Sequence, residues 1–244
     1  MIEQNDALLE VKGLTKIYSN KKVAAKDIYL TINKGEIFGF IGHNGAGKTT
    51  TIKCIVGLLN YDHGEIIFEG SNIKTLGTNY KKNIAYIPDN PDLYLYLTGL
   101  QYLNFICDIN EISKQNRQKD IKKYSDMFGI SENLKDLIQS YSHGMKQKLA
   151  IISALIRHPK LLILDEPFVG LDPKAAYDVK EVLKKMCDEG CSVFFSTHVL
   201  EVAEKLCNKI AIIKNGEIVT CGDVDIVKGD QSLEDVFLEL VDHE

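Results

Sequence analysis

The 244-residue chain has a net charge of -5, a 45% hydrophobic share and a 26% charged share. That length suits one or two domains around a sizeable core. The acidic balance argues against nucleic acid as a main partner, and no apolar run approaches the ~18 residues of a membrane span. The opening MIEQNDALLE lacks the basic and apolar order of a secretion signal. A cytoplasmic, soluble protein is expected, with any membrane role supplied by a partner. The six cysteines, Cys54, Cys107, Cys187, Cys191, Cys207 and Cys221, form no CxxC pair. Most lie in apolar-periodic segments and read as small hydrophobes rather than metal or disulfide partners.

In chain order, DIYLTI (27–32) alternates polar and apolar residues, which predicts a strand with one wet face. IFGFI (37–41) is continuously apolar, the pattern of a parallel strand covered on both faces. A helix is predicted over Thr49–Leu59, and EIIF (65–68) reads as a short strand. Residues 93–157 then carry helix after helix. Thr98 and Gln101 make a capping box, Ser113 caps a second helix that stops at Gly129, and Ser142 caps a third ending at His158-Pro159. LLIL (161–164) and VFF (193–195) are again buried-strand runs, with a helix over Ala175–Met186 between them. KIAIIKNGEIVT predicts a hairpin, because Asn215-Gly216 suits a turn with positive φ. Ser232, with Asp235 three residues on, opens a last short helix. Buried strands alternating with helices predict an α/β core with a parallel sheet, interrupted by a helical block.

The chemistry concentrates at GHNGAGKTT (42–50), between a buried strand and a helix, matching G-x-x-x-x-G-K-[ST]. Gly42, Gly45 and Gly47 let the backbone turn its N–H groups inward to form an anion nest. The helix start adds its dipole to the same point. Lys48 supplies a full charge to phosphates and Thr49 a hydroxyl for Mg²⁺. His43, Asn44, Ala46 and Thr50 complete the segment expected to wrap the phosphate chain. A glycine turn without a ligand is the bland alternative, and the flanking strand and helix weigh against it. LLILDEP (161–167) ends a strand at Asp165, where α/β ligands bind. Asp165 is expected in the Mg²⁺ shell and Glu166 beside the attacking water. Alone, the two carboxylates read equally well as loop caps.

Taken together, the P-loop, the helical insert, YSHGMKQ, LLILDEP, GLDP and STH resemble the ATP-binding subunit of an ABC transporter, from about Leu8 to Thr220. The resemblance implies a P-loop NTPase fold: a RecA-like parallel core, an antiparallel β subdomain and an inserted α-helical subdomain (about 93–157). Residues 7–220 would form one ATP-binding domain and 221–244 a short helical tail. It also implies ATP and Mg²⁺ as ligands, an ATPase activity, a head-to-tail homodimer and a membrane permease that holds the subunit at the cytoplasmic face. Tyr18 stands where the family stacks a ring on adenine. Ser142 and Gly144 match the signature segment that meets ATP held by the opposite subunit. Asp172 matches the loop crossing the dimer seam, and His198 the histidine that contacts γ-phosphate and helps place Glu166 and water. Each also has an ordinary reading: strand-end tyrosine, serine N-cap, aspartate N-cap before a proline at N1, lone strand-end histidine. Three positions depart from the pattern. Asp89 replaces a glutamine that contacts Mg²⁺ and senses the membrane partner, and is expected as a further Mg²⁺ ligand or else as a turn residue in PDNP; His143 replaces the first signature glycine, and Met145 replaces its glutamine. An acidic residue at position 89 resembles export ATPases of the lantibiotic-immunity and related peptide or drug-efflux type, and the tail SLEDVFLELV resembles tails of export ATPases. A single-cassette ATPase outside transport, or a regulatory nucleotide-binding protein, remains the alternative.

Overall fold

The computed structural model describes residues 6–241; the first half of the stretch read for a secretion signal and the end of the tail lie outside the described residues. The chain opens with two long strands, β1 (Ala7–Ile17) and β2 (Val23–Asn33), then β3 (Ile37–Ile41) and helix α1 (Lys48–Ile55). Next come β4 (His63–Phe68), β5 (Ser71–Asn72), the single turn α2 (Ile73–Leu76) and β6 (Ile84–Ile87). Helices α3 (Gly99–Ile109), α4 (Lys114–Met127) and α5 (His143–Leu155) form the helical block. They are followed by β7 (Leu161–Asp165), α6 (Pro173–Asp188), β8 (Ser192–Thr197) and α7 (Leu200–Leu206). The hairpin β9 (Lys209–Lys214) and β10 (Glu217–Asp223) leads to α8 (Val224–Lys228) and α9 (Leu233–Val241).

Two sheets result. A four-stranded antiparallel sheet has the order β2-β1-β4-β5, and a six-stranded sheet the order β10-β9-β3-β8-β7-β6. In the larger sheet every pairing except β9 with β10 is parallel. Its central strands β3, β7 and β8 are buried at every residue, as their unbroken apolar runs require. On one face Phe38, Phe40 and Phe194 meet at ring distances of 5.7 Å, under α1 and the antiparallel sheet. On the other, Leu162, Leu164 and Phe195 pack against the helical block.

Several boundaries differ from the sequence expectation, each for a local reason. The first helix starts at Lys48 and ends at Ile55, short of Leu59, because Gly57 (φ 67) turns the chain and Leu58 N–H bonds back to the Lys53 carbonyl. The third insert helix stops at Leu155, three residues before His158, which itself sits at φ 49. The helix after β7 is longer than expected, since Asp172 caps it and Pro173 opens it. The Thr98–Gln101 capping box and the Ser113 and Ser142 caps all form. Strand β1 was not singled out in the sequence, although it pairs on both sides, with β2 and β4.

Strand β10 runs past residue 220 to Asp223, and the tail beyond it packs into a core of its own. Leu233, Phe237 and Val241 of α9 bury against Ile41 at the end of β3 and Ile210 and Ile212 of β9. Phe237 is 5% exposed and Leu238 46%. Phe237→Ala is therefore expected to cost about 3–5 kcal/mol in a denaturant melt. Leu238→Ala should stay within about 0.5 kcal/mol.

Candidate functional site

Parallel pairing in the order β3-β8-β7 sets three strand ends side by side. β3 delivers the glycine loop, β8 delivers His198, and β7 delivers Asp165 and Glu166. The loop is shaped by close backbone approaches. A Cβ on Gly47, which sits at φ 112, would collide with the Ala24 carbonyl, and one on Gly42 with the Ile213 carbonyl. The β9–β10 turn braces it: Gly216 N–H donates to Ala46 O (2.8 Å), and Lys26 N–H donates to Gly216 O (2.8 Å).

Lys48 is 5% exposed, and its ammonium donates to the carbonyls of Gly42 (2.5 Å) and His43 (3.2 Å). Its third neighbour is Glu166 Oε1 at 3.1 Å. Glu166 is held with unusual firmness. Its backbone takes φ 50, a region costing a non-glycine residue of order 1–3 kcal/mol when sustained. Its N–H bonds both the Ser196 hydroxyl (3.0 Å) and the Ser196 carbonyl (3.2 Å). The other carboxylate oxygen lies 3.0 Å from His198 Nδ1 and accepts the His198 N–H at 3.3 Å. The acid thus sits between a lysine and a histidine, positioned by β8.

Asp165 is 1% exposed; Oδ1 accepts from the Ser196 hydroxyl, and Oδ2 is buried without a hydrogen-bond partner. A buried carboxylate oxygen lacking a donor is costly unless a cation meets it. That donor type, with the Thr49 hydroxyl, fits Mg²⁺, which takes one or two protein oxygens and completes its shell from phosphate and water. Among the described residues no cluster of three or more His, Cys, Asp or Glu could hold a metal by itself. The Tyr86 hydroxyl is also buried without a partner; burial first, then the Asp165 and Asp89 carboxylates, push its pKa up.

A cavity of about 240 Å³ opens over the loop. Asn44, Gly45, Gly47, Lys48, Thr49 and Thr50 line one side, and Glu166 and Asp89 another. Tyr18 closes a third side, its hydroxyl 3.3 Å from Thr50 Oγ1. Lys22 and Ala24 also line it and went unnoticed in the sequence. No motif in the sequence marks either residue; the approach of the Ala24 carbonyl to Gly47 exists only in the fold. Gly42, His43 and Ala46 build the loop instead of lining the cavity. The His43 ring turns away, edge to face with Phe237 of α9 at 4.9 Å.

Ser142, Gly144 and Asp172 are not part of this cavity. Ser142 accepts from Met145 N–H (3.2 Å), and one Asp172 carboxylate oxygen accepts from both Lys174 and Ala175 N–H (3.0 Å each). Both ordinary capping readings therefore hold. The Ala175 N–H is the main reason the Asp172 carboxyl is held below the usual range. The two caps are exposed and adjacent: a Cβ on Gly144 would sit 3.9 Å from Asp172 Oδ2.

A glycine loop and lysine at one parallel strand end, with an Asp-Glu pair two strands away, define a P-loop NTPase. The ABC transporter family profile matches residues 25–169, and the chain belongs to that family. It is similar to the ABC-type transporter ATP-binding protein EcsA of Bacillus subtilis, 36% identical over 96% of this chain and 96% of that one. It is also similar to the lipopolysaccharide export system ATP-binding protein LptB of Haemophilus influenzae, 32% identical over 95% and 97%. A solved structure of an ATP-binding subunit of an ABC transporter superposes with a TM-score of 0.89, at 33% identity, covering 96% of this chain and 99% of that one. Since the Ala24 carbonyl leaves no room at residue 47, Gly47→Ala should weaken ATP binding at least about tenfold while the fold survives, as read by titration calorimetry and circular dichroism.

Proposed function

We propose that the chain hydrolyses ATP at a site completed by a second copy, and that this cycle drives export through a separate membrane subunit. The observation that carries the reading is a division of labour. Lys48, Thr49, Glu166 and Tyr18 meet in one cavity, whereas the tip formed by exposed Ser142 and Asp172 with half-buried Gly144 lies outside it. A helix N-terminus presents N–H groups and a positive dipole end suited to phosphate. Head-to-tail pairing would bring that tip onto the γ-phosphate held by the other protomer. Family members are ATPases, which supports the reaction class.

In this reading the glycine loop cradles the phosphates and Tyr18 meets the base. A phosphate oxygen would replace Glu166 as the anionic neighbour of Lys48, leaving Glu166 to His198 and the attacking water. Glu166 accepts a proton as that water attacks, and His198 keeps its carboxylate oriented. Thr49 and Asp165 would hold Mg²⁺, with Asp89 at the cavity edge, and the ion would neutralise charge on the phosphates. Positioning and charge compensation are the main demands of phosphoryl transfer, so closure of the pair gates the chemistry.

The proposed landing place of the membrane subunit is an apolar hollow. Just after Asp89, residues Leu93–Leu97 and Phe105 enclose an almost wholly apolar hollow of about 680 Å³, with Tyr96 86% exposed. Exposed apolar patches of this kind mark contacts with other proteins. No described helix is long and apolar enough to cross a membrane. The hollow therefore fits a cytoplasmic segment of the permease. Export as the direction is supported by the similarity to LptB, named for an export system. The acidic residue 89 supports a peptide or drug-like cargo, and the tail supports export.

Glu166→Gln should lower steady-state hydrolysis by at least about 10²-fold, the usual worth of a general base, with ATP affinity unchanged within about threefold. With Mg-ATP this variant should elute as a dimer in size-exclusion chromatography. Wild-type turnover in the variant would remove Glu166 from its role.

A further inference from the structure

We infer that His143 is a positioning residue that ties the Ser142 helix tip to the loop carrying Glu166, so that the two nucleotide sites of the pair respond to each other. The inference rests on the composite site proposed above and assigns a use to the residue that departs from the family's signature.

The cap of α5 does not need this side chain, because Ser142 already accepts the Met145 N–H. The imidazole instead crosses to the neighbouring loop, where Nε2 lies 3.2 Å from the Val169 carbonyl. A carbonyl only accepts, so the ring bonds it as the Nε2–H tautomer or the imidazolium. The ring also packs close against the next residue. A Cβ on Gly170, at φ 73, would sit 3.2 Å from His143 Cδ2 and 3.3 Å from Nε2, so the glycine makes room for the histidine. On the other side of the tip, a Cβ on Gly144 would touch Leu171 and Ala175 at 3.6 Å. The tip thus grips residues 169–172 from two sides.

That loop is a short lever on the acid. Val169 N–H donates to the Glu166 carbonyl at 3.3 Å, and Glu166 is itself pinned to Ser196. Further along the two helices, Lys148 and Asp178 pair at 2.8 Å and keep α5 and α6 in register. Tip, loop and acid are therefore joined by a continuous chain of hydrogen bonds. In the closed pair, Glu166 works on the nucleotide of its own glycine loop, while the Ser142 tip of the same chain reaches the other nucleotide. Arrival of a γ-phosphate at the tip is transmitted through His143 and Val169 to Glu166 at the opposite site.

The test compares His143→Leu, which keeps bulk and loses the N–H, with His143→Gln, whose amide restores a donor near Nε2. Steady-state ATP hydrolysis by the full chain is followed against ATP concentration, alongside melting temperature and nucleotide affinity. For His143→Leu, kcat should fall about five- to tenfold, the worth of one hydrogen bond, and the Hill coefficient should drop towards 1. Its melting temperature and single-site ATP affinity should stay at the wild-type values, because Val169 is 45% exposed and water can replace the lost donor. His143→Gln should recover both kcat and the Hill coefficient. Equal loss in the two variants, no loss in either, or loss accompanied by a lower melting temperature would overturn the inference. Glu166→Gln in Mg-ATP serves as the separate control. If it dimerises and the His143 variants behave like wild type, the inference alone fails. If it stays monomeric, the composite site fails and takes the inference with it.

Discussion

Parallel ladder pairing between β3, β8 and β7 is the constraint from which the site follows. Parallel strands end on the same edge of a sheet, so whatever each strand delivers there is delivered together. Residues far apart in the chain, from Lys48 to Glu166 and His198, become neighbours within about 3 Å. The ladder survives because both faces of these strands are covered, one by α1 and the antiparallel sheet, the other by the helical block. Strip either layer and the apolar runs that define the strands would face water.

Within that frame, Ser196 has a larger part than its residue type suggests. One hydroxyl donates to Asp165 and accepts from the Glu166 N–H, so a single fully buried side chain on β8 sets two adjacent carboxylates on β7. The left-handed backbone at Glu166 is sustained by that contact and by the Ser196 carbonyl. The tail adds a second layer of support. Phe237 packs on the His43 ring and on Ile41, so α9 buttresses the glycine loop from outside the cavity. All six cysteines are free, and burial pushes the Cys54 and Cys191 thiols up to about 11.

Three local devices are legible in the sequence because each depends on a few adjacent residues. The glycine loop needs only its own backbone and the elements on either side. The caps at Thr98, Ser113, Ser142 and Asp172 need a side chain and an N–H two or three residues on. The Asn215-Gly216 turn needs two positive φ values, which both residues take (50 and 87). Helix ends were harder to read. Apolar periodicity continues past Ile55 to Leu59, and it does not reveal that Gly57 reverses the chain.

The sequence by itself determined the strand and helix types, the phosphate loop and the identity of the acidic pair, since these follow from apolar period and short-range backbone chemistry. Only the tertiary structure decided strand order, the bracing of the loop by Ala24 and Gly216, the lysine–glutamate–histidine contact and the bridge from His143 to Val169. Those contacts join residues 23 to 170 positions apart, where no local period or spacing carries information. They exist because burying both faces of one sheet leaves its strands few ways to pair.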